Sequence, residues 1–295
     1  MLFTQISKDE YIKVYEATAK NVDFIHTNHS LDTEIRSMFP SSQHSFYKAD
    51  TGNDLVYLIY RVNKYIGTHI LMDADKNNSL TEGQLFNVFD SLAAAHPQLN
   101  TKVEFVVKGP DYLNNVFIKW RKHRFDIKVS SQLVLNLYYK NEEQIEELKK
   151  MTLHLPKEYV WCDQLNKDDG DEMNKKWEHA RKGDNNHTIL KIEHLPFGCI
   201  KHNQQLASFV LSKPTGSLSN HYTEPSHRGN KLGILVENKI CQEIIKLNRI
   251  PYKLVENSKT TYLQYIDANN AWSRWNYNDG GAVIYLVTYY DHLLV

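Results

Sequence analysis

The stretch His221-Tyr222-Thr223-Glu224-Pro225-Ser226-His227-Arg228-Gly229-Asn230-Lys231-Leu232-Gly233 decides the fold, because it joins a predicted strand to a predicted helix. Apolar residues between Ile234 and Leu247 recur at roughly helical spacing, so the helix is predicted to begin near Asn230. Its first turn leaves backbone N–H groups unpaired, and together with the positive end of the helix dipole they suit a pyrophosphate. Gly229 and Gly233 let a ligand approach the backbone closely. The segment therefore predicts a phosphate-binding turn.

The residues on either side of this turn follow the pattern of a known family. Upstream lie Leu195-Pro196-Phe197-Gly198-Cys199-Ile200, Ala207-Ser208-Phe209-Val210-Leu211 and Pro214-Thr215-Gly216, and downstream lie Pro251-Tyr252 and Val255. Further out are Leu165, Asp168-Asp169, Asn174 and Trp177, and then Trp272-Ser273-Arg274-Trp275-Asn276. In this order, over about residues 153–276, the chain resembles the acyltransferase domain of the glycine N-acyltransferase family.

The resemblance implies a fold, a reaction and a set of binding residues. The fold is the mixed α/β sheet of the GCN5-related N-acetyltransferases (GNAT). The reaction is direct transfer of an acyl group from a coenzyme A thioester, acetyl-CoA or a longer acyl-CoA, to a small amine such as glycine or another amino acid, without metal or a covalent enzyme intermediate. The implied cofactor-binding residues are Tyr222, Thr223, Glu224, Arg228, Gly229, Asn230, Lys231, Leu232, Gly233 and Asn257.

Two positions depart from the family's pattern. The family's phosphate loop has the form Arg-x-x-Gly-x-Gly or Ala, and Lys231 stands at the first of those two Gly positions. After Thr215-Gly216 the better-known members carry a Glu proposed as general base, whereas this chain has Ser217, whose hydroxyl is too weakly basic to act unaided. The departures leave a second interpretation open, a catalytically silent relative that binds acyl-CoA or a protein partner.

Strand geometry suggests a replacement for the missing carboxylate. If residues 217–223 form a regular strand, alternation places Ser217, Ser219, His221 and Thr223 on one face. An imidazole accepts a proton at neutral pH, so we expect His221, or a water that it holds, to deprotonate the acceptor amine. Glu224 is a second candidate base, and a hydrogen-bonded structural histidine is the alternative for His221.

A leaving thiolate also needs a proton. The resemblance places a Tyr on the helix that follows Val255-Glu256-Asn257-Ser258, where Tyr262 and Tyr265 are the candidates and Tyr265 is the better spaced. Both also suit packing roles. The three cysteines, Cys162, Cys199 and Cys241, are dispersed near apolar stretches and are predicted to be buried hydrophobic residues.

Composition limits the partners. Lys+Arg and Asp+Glu balance at 35 each, so no overall charge favours nucleic acid or a membrane surface, and a small-molecule amine is the expected partner. No apolar run approaches the roughly 18 residues that span a bilayer, and three cysteines indicate a reducing compartment. We predict a cytoplasmic protein; the resemblance keeps a mitochondrial location open, although Asp9, Glu10 and Glu16 make a poor transit peptide.

The 295 residues suggest two domains, an N-terminal α/β domain over residues 1–150 and the acyltransferase domain over 151–295. Alternating elements suggest that the first is a divergent copy of the second. Helices are predicted over residues 1–20, 82–95, 111–124 and 142–150. Strands are predicted over residues 55–62, 103–108, within 125–139, and near 188–192, 206–212, 217–223, 252–256 and 283–290.

Two polar segments resemble sites of other kinds. Asp73, Asp75, Asn77 and Leu80 fit a calcium loop, but Asn78 and Gln84 replace the required Gly and Glu, so a polar turn is predicted instead of a metal site. The run Lys119-Trp120-Arg121-Lys122-His123-Arg124 is typical of a solvated helix end more than of a nucleic-acid site.

Overall fold

Strands and helices alternate along the computed structural model, which describes residues 2–101, 104–181 and 183–290. The strands are β1 (Leu2–Gln5), β2 (Ser42–Asp50), β3 (Leu55–Asn63), β4 (Gly67–Ala74), β5 (Phe105–Pro110), β6 (Ser131–Tyr139), β7 (Tyr159–Trp161), β8 (Phe197–His202), β9 (Gln205–Ser212), β10 (Ser217–Thr223), β11 (Tyr252–Glu256), β12 (Ser273–Arg274) and β13 (Ile284–Tyr289). The helices are α1 (Tyr11–Thr18), α2 (Ile25–Ile35), α3 (Glu82–Ala95), α4 (Asp111–Phe125), α5 (Glu142–Lys150), α6 (Lys167–Lys175), α7 (Asp184–His194), α8 (Leu232–Lys246) and α9 (Thr260–Asn269). The predicted α/β class is confirmed.

The strands of the described residues form one mixed sheet that contains the same topology twice. Its order is β1-β2-β3-β4-β5-β13-β6-β11-β10-β9-β8-β7, and β12 also pairs with β6. In the first half, β2, β3 and β4 form an antiparallel meander, α3 follows, and β5 returns parallel to β4. In the second half, β8, β9 and β10 form the meander, α8 follows, and β11 returns parallel to β10. The N-terminal half is therefore a topological copy of the C-terminal half, as expected.

The last strand of each half joins the two halves. β6 pairs antiparallel with β11, and β13 pairs antiparallel with β5 and with β6. The strand predicted near residues 283–290, to which the sequence assigned no role beyond extending or capping a sheet, thus lies at the centre of the sheet. The predicted domain boundary between residues 150 and 151 stays a prediction. Strands from the two sides of that boundary pair within one hydrogen-bonded sheet, β6 with β11 and β5 with β13.

Helix α2 is buried although most of its residues are polar. Every residue from Ile25 to Thr33 is buried. Its side chains bond to both halves: Thr27 Oγ1 donates to Asp73 Oδ2 at 2.8 Å in the N-terminal half, while Asp32 Oδ2 accepts from Arg249 Nε at 2.6 Å and Thr33 Oγ1 donates to the Pro214 carbonyl at 2.7 Å in the C-terminal half. Polar groups tolerate burial when they are hydrogen-bonded in this way. The helix thereby carries side chains of the N-terminal half to the C-terminal half.

Most predicted elements are confirmed, and two are wrong. Residues 1–20 do not form one helix, because Leu2–Gln5 pair with β2 and helix α1 begins only at Tyr11. Residues 188–192 are not a strand but part of α7, where Thr188, Lys191 and Ile192 are buried at helical spacing. The strand predicted at 103–108 is β5, which begins at Phe105; position 103 lies outside the described residues.

The segment with a calcium-loop pattern begins inside strand β4. The Asp73 carboxylate is buried, and its Oδ2 accepts from the Thr27 backbone N–H at 2.7 Å and from Thr27 Oγ1 at 2.8 Å. That carboxylate serves the packing of α2 against the sheet.

The basic run at the end of α4 is only partly a solvated helix end. Trp120 is buried and donates to Asp90, and Arg121 is buried over the rings of Phe105 and Tyr290. Lys122 and His123 are exposed, as expected. None of the helices within the described ranges is long and apolar enough to cross a bilayer.

Candidate active-site cleft

Strands β10 and β11 separate along their length. They pair in parallel only at Ser217 with Tyr252 and at Leu218 with Lys253. Beyond these pairs β10 continues to Thr223 and β11 to Glu256. Backbone groups that face each other across the gap can hydrogen-bond an extended ligand as an added strand would. The gap opens into a cleft of about 1030 Å³.

A β-bulge interrupts β10 inside the cleft. The register against β9 shifts between Ser219 and Tyr222, and Asn220 adopts a left-handed φ of 53°. The Lys191 ammonium, from α7, donates to Asn220 Oδ1 at 2.9 Å and fixes the bulge. A bulge adds one residue to one strand and so reverses the alternation of side chains beyond it.

The bulge makes the predicted face of His221 wrong. Ser217 precedes the bulge and lies on the face opposite Leu218, which packs among the buried residues of α8. His221 follows the bulge, and its Nε2 donates to the Gly233 carbonyl of α8 at 3.0 Å. His221 is therefore on the α8 face, whereas Ser217 is on the other.

The turn before α8 presents a row of free N–H groups. Gly229 has a φ of 83° with open space around it, and Lys231 has a φ of 59°. Among the described residues, no acceptor bonds the backbone N–H groups of residues 229–234, while Leu235 N–H donates to the Lys231 carbonyl. A hydrogen bond of 3.1 Å from Arg228 Nε to the Thr223 carbonyl orients the Arg228 side chain. The predicted phosphate-binding turn thus has the geometry of an anion cradle. The left-handed φ at Lys231 also explains why glycine suits this position.

A buried charged cluster lies on the α8 face of the cleft. Glu237 of α8 accepts from Lys253 Nζ at 2.7 Å and from Trp272 Nε1 at 2.8 Å. Burial acts to raise the pKa of Glu237, but Lys253 and His221 outweigh it and lower the pKa to about 2. His221 Nδ1 lies 3.7 Å from Glu237 Oε2, and 32% of the His221 side chain is exposed in the cleft. Burial lowers the pKa of His221, although Glu237 opposes that shift.

The two tyrosines of α9 line the cleft, but their hydroxyls differ. Tyr262 OH accepts from Lys253 Nζ at 3.0 Å, and burial raises the pKa of Tyr262. Tyr265 is half-exposed, and no side-chain hydrogen bond engages its hydroxyl among the described residues. The free hydroxyl of Tyr265 is the one available to a ligand.

Three predicted site residues do not line the cleft: Asn230, whose side-chain amide donates to the His227 carbonyl at 3.2 Å, and then Glu224 and Asn257. The Glu224 carboxylate pairs with Lys176 Nζ at 2.7 Å. Asn257 bonds the Asn136 amide through its side chain, and its backbone N–H donates to the Val134 carbonyl at 2.9 Å. The Glu224 and Asn257 side chains are thus held away from the space between β10 and β11, while Tyr222 and Thr223 line it.

The structure brings a histidine into the cleft that the sequence did not single out. His26 of α2 lines the inner end, and its Nδ1 lies 3.0 Å from Asp73 Oδ1. The ring stacks on Tyr285 at 4.9 Å and meets Tyr252, the partner of Ser217, edge-on at 5.2 Å. Because the carboxylate accepts the Nδ1 proton, the lone pair is on Nε2, which has no hydrogen-bond partner among the described residues and is not sealed from the cleft. No local sequence signal links His26 and Asp73, which are 47 residues apart.

The cysteines are not all isolated hydrophobic residues. Cys199 and Cys241 are buried as predicted, but Cys162 is only half-buried and lies beside Cys199 across β7 and β8. The neighbouring Cys199 side chain lowers the pKa of the Cys162 thiol. Cys162 and Cys199 line a second, smaller cavity and not the cleft.

Comparisons with known proteins show the fold. No protein-family model and no curated protein matches the chain. A crystal structure of a Drosophila malonogaster protein from a structural genomics consortium is similar over 97% of each chain, with a TM-score of 0.74 at 10% identity. Such a likeness shows a shared fold across both halves.

Acetyltransferases also occur among the similar structures. The match to a GCN5-related N-acetyltransferase from Kribbella flavida covers 87% of this chain and 92% of that protein, with a TM-score of 0.49 at 9% identity. A tandem GNAT protein from the clavulanic acid biosynthesis pathway covers 98% of both chains, with a TM-score of 0.49 at 9% identity. At these TM-scores the likeness carries no argument about activity.

Proposed function

We propose that the chain is an acyl-CoA-dependent N-acyltransferase that transfers an acyl group directly to a small amine, such as glycine or another amino acid. One observation carries the proposal: β10 and β11 separate after Leu218 and Lys253, directly beside a turn whose N–H groups at residues 229–234 are free. A strand-like gap that ends at an anion cradle suits a long ligand with a pyrophosphate at one end. The resemblance to the glycine N-acyltransferase family supports the same assignment.

Each part of the cleft has a role in this proposal. The turn from Arg228 to Gly233 holds the pyrophosphate, and the edge of β10 at Tyr222 and Thr223 holds the pantetheine arm. When bound, the thioester supplies an activated acyl carbonyl and a thiolate leaving group. A backbone N–H of β10 near the bulge polarises that carbonyl, because a fixed donor stabilises the charge that develops on oxygen.

His26 is the general base that we favour. Its Nε2 accepts the proton of the acceptor amine as nitrogen bonds to the acyl carbon, while Asp73 keeps Nδ1 protonated and the ring oriented. The C–S bond then breaks, and the Tyr265 hydroxyl gives its proton to the thiolate. His221 remains the second candidate base, on the α8 side of the cleft.

The alternative function is binding of acyl-CoA without catalysis, as in a catalytically silent relative. It is supported by Ser217, which is 2% exposed and carries no basic group, and by the left-handed backbone at Lys231. A cytoplasmic location remains part of the proposal.

Thiol release tests the proposal. Acetyl-CoA and longer acyl-CoAs are each incubated with a panel of amines, and free thiol is followed with and without the chain. Amine-dependent release with an N-acylated product supports transfer. Tight binding of CoA without release under every pairing identifies a silent relative, and failure to bind CoA rejects both functions.

A further inference from the structure

Two lysines without acidic partners line the inner end of the cleft. Lys108 comes from β5, and Lys213 comes from the turn between β9 and β10. Both are half-buried. Among the described residues, no carboxylate lies within 4.0 Å of either ammonium group. Asp184 is the one acid that acts on them, and its carboxylate accepts the Arg181 backbone N–H at 2.6 Å.

More positive charge surrounds this end of the cleft. Arg61 of β3 is 2% exposed, and its Nε has no partner among the described residues. Lys191 of α7 is 2% exposed and is held by Asn220 at the bulge. Burial lowers the pKa of both Lys108 and Lys213, and the charge of Lys213 lowers that of Lys108 further. Among the described residues, Asp184 acts on Lys108, Lys191 and Lys213, while Arg61 adds positive charge beside Lys108 and Lys213, and Arg181 adds it beside Lys108. Basic groups therefore outnumber acids around this poorly hydrated space.

Uncompensated buried charge is unfavourable, and an anion in the cleft relieves it. Buried cations are normally paired, because the interior solvates charge poorly. A bound anion stabilises the protonated lysines and is stabilised by them, and this attraction grows as water leaves the cleft. Two ammonium groups, one from strand β5 and one from the turn between β9 and β10, exceed the charge of a single carboxylate, and the nearby Arg61 adds to them.

We infer that the inner end of the cleft, between Lys108 and Lys213, binds a dianionic group of the acyl acceptor. The inference rests on the proposed function only where it identifies the bound molecule as the acyl acceptor. The anion site itself does not depend on that function. A dicarboxylic amino acid and a phosphomonoester amine share the required chemistry. Thr215, Ser217 and His26 line the same cleft as the two lysines, and we place the amine of the acceptor beside His26.

Binding without turnover tests the site. Inorganic phosphate, aspartate, glycine and ethanolamine are titrated calorimetrically into the full chain without CoA. We expect phosphate and aspartate to bind at least tenfold more tightly than glycine, and ethanolamine not to bind. Lys108→Met and Lys213→Met should each weaken phosphate binding at least tenfold.

Controls separate charge from folding and from CoA binding. Lys213→Arg keeps the charge and should keep phosphate binding, and Lys150→Met removes an exposed lysine and should change nothing. Equal binding of phosphate by the parent and both Lys→Met variants overturns the inference. Weak CoA binding with intact phosphate binding instead counts against the proposed function alone. Turnover with aspartate against phosphoethanolamine then distinguishes the two sources of the dianion.

Discussion

His26 Nδ1 lies 3.0 Å from Asp73 Oδ1, and this pair from the N-terminal half orients an imidazole into a cleft whose ligand gap belongs to the C-terminal half. Thr27 holds the other carboxylate oxygen with two hydrogen bonds of 2.7 and 2.8 Å. A carboxylate fixed in this way selects one tautomer of the imidazole and directs Nε2. The N-terminal copy of the fold thus contributes a histidine side chain to the cleft of the other copy.

His26→Asn should lower kcat/KM by about 10²- to 10⁴-fold, the usual contribution of a general base, without changing the Kd for CoA. Asp73→Asn should give a smaller loss, because it disturbs the orientation of the ring and not the base itself. Steady-state kinetics and CoA titration measure both effects, with exposed His154→Asn as the control. If His221→Asn removes the acidic limb of the pH–rate profile and His26→Asn leaves it intact, His221 is the base and our assignment is wrong.

Glu237→Ala should lower the free energy of unfolding by about 3–5 kcal/mol, because it leaves the Lys253 ammonium buried without its partner. Glu243→Ala on the same helix removes the surface pairs with Lys239 and Lys246 and should cost less than about 1 kcal/mol. Chemical denaturation of the two variants measures the contrast. Equal losses would show that the buried cluster contributes no more than a surface pair.

Lys231→Gly should raise the free energy of unfolding by about 1 kcal/mol, because Lys231 holds a left-handed φ of 59° that glycine adopts readily. Lys231→Ala keeps the backbone strain and removes only the charge. Comparing the Kd for CoA of Lys231→Ala with that of the parent shows whether the Lys231 ammonium aids phosphate binding. A Gly variant less stable than the Ala variant contradicts the strain argument.

Acid should destabilise the fold through His187. Burial lowers the pKa of this histidine to about 2, whereas the unfolded chain takes up the proton near pH 6.5. The unfolded state therefore binds more protons below pH 6.5, so stability falls as pH decreases from 6.5 toward 2, by about 1.4 kcal/mol per pH unit for one such group.

His187→Phe removes this titrating group. As the pH is lowered from 6.5 to 5, the free energy of unfolding of the variant should therefore rise by about 2 kcal/mol relative to that of the parent. Denaturant unfolding at a series of pH values measures the difference. His154→Phe, at an exposed position, should show no such change. A pH-independent difference for His187→Phe would mean that the folded state accommodates the protonated ring.

Cys162 should react with iodoacetamide at neutral pH much faster than Cys241, because the neighbouring Cys199 side chain lowers the pKa of Cys162 and burial raises that of Cys241 to about 12. Timed alkylation followed by peptide mass spectrometry measures both rates. Cys199→Ser keeps a donor group beside Cys162, whereas Cys199→Ala removes it and should slow the reaction of Cys162. Modification of Cys241 first would contradict the burial that separates the two thiols.

Local patterns predicted the elements whose residues carry their own signals. Helix α3 begins after Thr81, whose hydroxyl accepts from the Gln84 N–H in a capping box, and its bounds are those predicted. Helix α2 was missed because its polar residues have no apolar period, and only contacts with both halves make its burial favourable. The strand predicted near residues 188–192 failed because Thr188, Ile189 and Ile192 are β-branched yet pack at helical spacing.

Sequence alone determined the turn that is predicted to bind phosphate, since its glycines, its Arg and the helix that follows are neighbours along the chain. Tertiary structure alone decided which side chains face the gap between β10 and β11. One extra residue in the β10 bulge moved His221 to the α8 face, and the pairing of β13 and β6 at the sheet centre brought His26 and Lys108 to the cleft. The physical reason is that a backbone turn is a local property, whereas the groups that surround a reacting atom come from strands and helices that meet only after long loops close.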